Sequence, residues 1–249
     1  WIDVSKDPGK LDEYGLEPDM LESDESDFRA RMYLPDPAVF GEDVKPTVAF
    51  RGTTKWVDGF GPSEDARNNF LQGIGIKSDY YERAIRIGER LGRRGADVTL
   101  AGHSLGGGMT SAAAHASGLP AFTFNAAGLH KKTLHNRRVR MGSSEAAKIR
   151  AYFVKDEFLE GFHQPGWKTA ATLAGVGALS GGAVGALAGL GGGFLLSKLT
   201  ADIAGTPHEI PGRGHPFERH RIGQVVWGIG QQIKEDQAVL RDATGVCCS

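Results

Sequence analysis

The stretch TLAGHSLGGGM, residues 99–109, sets a serine between two glycines in the order Gly102-His103-Ser104-Leu105-Gly106. An apolar run at 98–101 precedes it, and a run of small residues at 105–117 that reads as a helix follows it. A serine on a sharp strand-to-helix turn presents its hydroxyl, and glycines flank it because larger side chains would collide with the adjoining strand and helix. A plain Gly-rich turn before a helix is the competing reading. The order strand, elbow, helix favours the first, with Ser104 as nucleophile. The unpaired N–H groups at the start of such a helix stabilise an anion, so the Leu105 N–H is a candidate oxyanion donor.

Working outward, residues 28–34 alternate as a strand does, and 47–52 form a second strand candidate after Pro46. Residues 78–92 place Tyr81, Ala84, Ile85, Ile87 and Leu91 at near-helical spacing behind Ser78 as N-cap. Strands are expected again at 121–126 and 149–154. Alternating strands and helices predict an α/β fold, a mostly parallel sheet covered on both faces. With 249 residues the chain fits one domain with an insertion. Residues 1–26, acidic at their end, read as a polar surface segment.

A net charge of −1 gives no reason to expect a basic surface for nucleic acid, and the basic runs at 135–140 and 218–221 read as solvated loop faces, with contact to anionic headgroups as the other reading. Cys247 and Cys248 are adjacent, so they do not staple the fold internally. The chain starts at Trp1 with no basic-then-apolar leader, which reads as a missing N-terminus and leaves export open.

The segments AFRGTT at 49–54, NNFLQGIG at 68–75 and LAGHSLGG at 100–107 together resemble the class 3 lipase family, the fungal lipase-like domain, over roughly residues 28–156. The resemblance implies an α/β-hydrolase fold with Thr53, after Phe-Arg-Gly, as the second oxyanion donor. FTFNAAGL at 122–129 is most similar to bacterial members that act as lipase effectors of secretion systems. Arg51 reads equally as a tie for the strand end or a substrate contact, and Asn68, Asn69 and Gln72 as possible loop-backbone partners.

A serine hydroxyl needs a histidine to take its proton and a carboxylate to orient that histidine. In this fold the chain order is serine, acid, histidine. Asp156 is the first aspartate after Ser104 and lies just past the strand at 149–154, where the family also places its acid. A solvated turn flanked by Lys155, Glu157 and Glu160 is the other reading. His115, His130 and His135 precede the acid and violate the order; His163 is very near it, and His208 sits in a polar loop. His220 directly precedes the apolar-periodic Ile222, Val225, Val226 and Ile229 and is the expected base, with His215 as the alternative. His103 reads as a packing residue.

Residues 169–196 contain no charge and are long enough to span a bilayer core as a helix. Glycines at 177, 181, 185, 189 and 193 would line one face and allow close helix approach in lipid, whereas so many glycines weaken a helix in water. Membrane contact, an apolar lid and a core helix are the three readings.

The combined expectation is a serine acyl hydrolase acting on lipid or phospholipid esters through Ser104, Asp156 and His220, with no metal and no organic cofactor. The segment at 169–196 adds membrane contact, and the resemblance adds a secreted antibacterial role with a possible neutralising immunity partner. A membrane-inserting module built on 169–196 and a soluble esterase or thioesterase are the alternatives.

Overall fold

The computed structural model describes residues 1–52, 78–129, 142–157 and 204–244, together with Leu134 and Val139. Thr53, Asn68, Asn69, Gln72, His130, His135, His163 and the whole of 169–196 lie outside the described residues.

Among the described residues, seven strands form one sheet in chain order: β1 (Ile2–Asp3), β2 (Ala30–Leu34), β3 (Thr47–Phe50), β4 (Thr99–His103), β5 (Ala121–Phe124), β6 (Ile149–Val154) and β7 (Thr206–Ile210). The first two pairings are antiparallel and the remaining four are parallel. This is the mostly parallel α/β sheet expected from the sequence. It has the form of an α/β-hydrolase sheet.

Around it lie α1 (Pro8–Asp12), α2 (Pro18–Leu21), α3 (Pro37–Phe40), α4 (Ser78–Arg94), α5 (Leu105–Ser117), α6 (Ser143–Ala146), α7 (Pro216–Arg219) and α8 (Ile222–Thr244). Side chains alternate across a strand, so Ala121 and Ile149 face one side while Phe124, Tyr152 and Val154 face the other. The first set joins α4 and α5 in the main core, around Ile85, Ile87, Leu91, Leu100 and Met109. The second set packs with Ile210, Val225 and Ile229, under the first turns of α8. Helices thus cover both faces, and the ends of the central strands are left to carry chemistry.

The N-terminal segment departs from expectation. Val4, Leu11, Leu16 and Leu21 are buried in the main core, and β1 pairs with β2 in the sheet. Its acidic composition hid four apolar anchors spaced too irregularly to show a period. Asp7 caps α1 by accepting from the Lys10 N–H at 3.2 Å, and proline opens both α1 and α2.

Helices α4 and α5 touch closely at Gly88, where an added Cβ would lie 2.9 Å from the Ala113 Cα and press on the Ala113 carbonyl. Alanine is the better helix former by about 1 kcal/mol, but overpacking a rigid contact costs about 1–3 kcal/mol. The clash wins. Gly88→Ala is expected to lower stability by up to about 2 kcal/mol in urea unfolding, the difference of those two terms; a higher midpoint would show that the helices can separate without loss.

Candidate active site

Ser104 sits between β4 and α5 with φ 58° and ψ −125°, a backbone conformation that non-glycine residues rarely adopt. The elbow is held at both ends. The Ser104 N–H donates to the Phe124 carbonyl at 3.0 Å, and the Ser104 carbonyl accepts from Gly107 and Ala127, both at 2.9 Å. A side chain at Gly102 would strike the Gly106 carbonyl and the Thr110 hydroxyl, and one at Gly106 would strike the Phe50 carbonyl. The two glycines of the motif therefore serve close backbone approach between β3, β4 and α5, as the sequence suggested.

The Ser104 hydroxyl lies 2.9 Å from the His220 Nε2, and the His220 Nδ1 lies 2.7 Å from the Glu157 Oε2. All three residues are buried: Ser104 is 2% exposed, Glu157 4% and His220 1%. A carboxylate only accepts, so Nδ1 carries the proton and donates to Glu157, and the Nε2 lone pair faces the serine hydroxyl. This is the tautomer a general base needs.

Two expectations concerning the partners of Ser104 resolve differently. His220 is the histidine that meets the Ser104 hydroxyl. The alternative, His215, is exposed, caps α7 and pairs with Glu218 at 3.7 Å. Asp156, by contrast, does not reach the histidine. Its side chain is 68% exposed and meets the Arg219 guanidinium at 3.2 Å. The residue beside it, Glu157, is the carboxylate on His220, in place of the expected aspartate.

The backbone explains the exchange. Asp156 takes φ 55° in the left-handed region, and the Glu157 N–H turns back to the Val154 carbonyl at 3.0 Å. That turn sends residue 156 out to solvent and residue 157 inward onto the His220 ring. No local sequence signal separates the two, although an Asp tolerates left-handed backbone better than a Glu does.

Leu105 opens α5, where helix N–H groups lack intrahelical partners. The Gly52 Cβ position lies 3.4 Å from the Ser104 Cβ, so the end of the β3 chain runs directly against the elbow. Arg51 donates to the Asp27 carbonyl at 3.0 Å, which accords with its reading as a strand-end tie. His103 is hydrogen-bonded through Nε2 to the His220 carbonyl at 2.6 Å, with the two rings 5.1 Å apart. Burial, and then the neighbouring His220, push its pKa down to about 4. His103 therefore stays neutral near pH 7.

A strained serine elbow is thus joined to a buried histidine and carboxylate. A family profile described as Phospholipase-like, Tle-like phospholipase domain, matches residues 1–214. The chain belongs to the Tle-like phospholipase family. The matched span holds Ser104 and Glu157 and stops before His220. Within this Tle-like chain, 144 residues are 32% identical to an extracellular phospholipase A1 of Serratia liquefaciens. The alignment covers 56% of the chain and 41% of that relative, so the chain spans about two-fifths of the relative's length. Among the described residues no helix is long and apolar enough to cross a membrane.

Proposed function

We propose that this protein hydrolyses carboxylic ester bonds of phospholipids through Ser104, His220 and Glu157. The observation that carries the reading is the continuous buried line from the Ser104 hydroxyl through His220 to Glu157, at 2.9 and 2.7 Å. His220 Nε2 takes the serine proton as Oγ attacks the ester carbonyl, and the proton then goes to the leaving alcohol. The acyl-serine is opened by water with His220 again as base, releasing the fatty acid. Glu157 holds the ring in its tautomer and stabilises the imidazolium in each half-reaction. The Leu105 N–H, and Thr53 by family resemblance, are the oxyanion donors. The phospholipid substrate is supported by family membership and by the relative's name.

The same proposal takes the protein as secreted, in keeping with the word extracellular in that name. It acts on the envelope lipids of another bacterium, contacts the membrane in doing so, and is neutralised in its producer by an immunity protein. These last points rest on resemblance to bacterial effectors.

Fluorophosphonate labelling followed by peptide mass mapping, run beside fatty acid release from phosphatidylcholine vesicles, tests the activity. The expected result is one labelled residue, Ser104, and free fatty acid in the wild type. A folded protein that neither labels nor releases fatty acid would sink the proposal. Vesicle leakage without fatty acid release would instead favour a membrane-inserting module.

A further inference from the structure

We infer that Asn125 is a positioning residue for hydrolysis, its side-chain amide clamping the turn that carries His220 to the strand end that carries Glu157. The inference deepens the serine-hydrolase proposal and rests on it for its kinetic readout, while its geometric readout stands alone.

Asn125 follows β5 directly and is completely buried. Its Nδ2 donates to the Arg219 carbonyl at 3.0 Å and to the His220 carbonyl at 3.1 Å. Its Oδ1 accepts from the Val154 N–H at 2.9 Å, at the last residue of β6 and three residues before Glu157. One amide thus uses both donors and its acceptor to join the base turn to the acid strand. The preceding residue, Phe124, accepts from the Ser104 N–H, so the same strand end also anchors the elbow.

β5 is suited to this because it lies between β4, which leads to the serine, and β6, which leads to the carboxylate. The backbone of Asn125 has φ 42°, the left-handed region that asparagine tolerates and most residues resist. A leucine would be strained there, and an aspartate would set an acceptor against two carbonyls.

His220 needs such a clamp. It ends the four-residue helix α7, too short to hold a ring in one place by its own hydrogen bonds. Its carbonyl receives a second donor from His103 on β4 at 2.6 Å. The imidazole is thereby held from the strand of the nucleophile and from the strand beside the acid. A misplacement of about 1 Å at such a site costs about 10²-fold in rate.

The test uses the full chain and two variants. Asn125→Gly accepts the backbone angle and deletes only the amide, and Asn125→Asp keeps the shape while replacing the donors. For each, kcat and KM on a short soluble p-nitrophenyl ester are measured with the rate of fluorophosphonate labelling of Ser104, cooperative unfolding, and the downfield proton resonance of the His220 Nδ1–H bonded to Glu157. Both variants are expected to unfold cooperatively, with kcat and labelling rate about 10- to 100-fold lower, KM within about threefold, and the resonance broadened or moved upfield.

Folded variants with an unchanged resonance and wild-type labelling would overturn the inference. Loss of cooperative unfolding in both variants would also overturn it, because the amide would then hold the fold rather than the relay. A wild type that shows the resonance but does not label removes the hydrolase proposal alone. The clamp would still be upheld or overturned by the resonance in the variants.

Discussion

Ser104→Ala is expected to lower ester turnover by about 10⁶-fold while the protein unfolds at its wild-type midpoint. The serine of the proposed relay supplies the atom that bonds to the acyl carbon, and alanine has no such atom to offer. What remains is the oxyanion site and substrate binding, which leave about 10³–10⁴-fold over water in other hydrolases of this kind. Stability is expected to hold because alanine keeps the Cβ and the backbone of the elbow, with its bonds to Phe124, Gly107 and Ala127. The wild-type strain at φ 58° stays in place. Ser104→Gly separates strain from chemistry. It should be as inactive, yet more stable by about 1 kcal/mol, since about 1–3 kcal/mol of backbone strain is released against about 0.5–1 kcal/mol of added chain entropy. Activity within tenfold of wild type in either variant would remove Ser104 from the mechanism. The double variant Ser104→Ala, Glu157→Gln should be no slower than Ser104→Ala alone, because the relay acts as a unit.

Glu157→Gln is the second large effect, a loss of about 10⁴-fold in kcat, the scale seen when the orienting carboxylate of a serine hydrolase becomes an amide. An amide nitrogen facing Nδ1 would favour the wrong tautomer and put the ring proton on Nε2, against the serine. The imidazolium would also lose its counter-charge in a buried setting. Asp156→Asn is the matched control. Its carboxylate is mostly exposed and bound to Arg219, and an exposed ion pair is worth about 0–1 kcal/mol, so kcat should change by no more than about threefold. Steady-state kinetics on one soluble ester decide between the two positions. Equal losses would mean that the turn itself had been disturbed, and a large loss at Asp156 alone would restore the aspartate as the acid.

The elbow was legible because every part of it is local. The strand at 98–101, two glycines, the serine and the small-residue helix adjoin in the chain, and the steric demand for glycine leaves its mark in the sequence itself. His220 was legible for a related reason, since it stands just before the periodic apolar face of α8. The sheet was legible from the alternation of strands and helices. β1 was too short to show a pattern, and the N-terminal leucines were masked by acidic neighbours.

Glu157 and Asn125 belong to the other kind. Asp156 and Glu157 are adjacent carboxylates after the same strand, and composition cannot say which one turns inward. A left-handed residue at 156, Arg219 on the outside and His220 on the inside decide it. Asn125 lies inside the strand expected at 121–126 and carries no signal of its own, because its partners lie 29, 94 and 95 positions away. The sequence by itself determined the serine elbow, the parallel sheet and the histidine before its helix, all written in short-range sterics and periodicity. Only the tertiary structure decided which carboxylate serves that histidine and what holds it, because a hydrogen bond is directional and its partners here come from strands and turns that meet only in the folded chain.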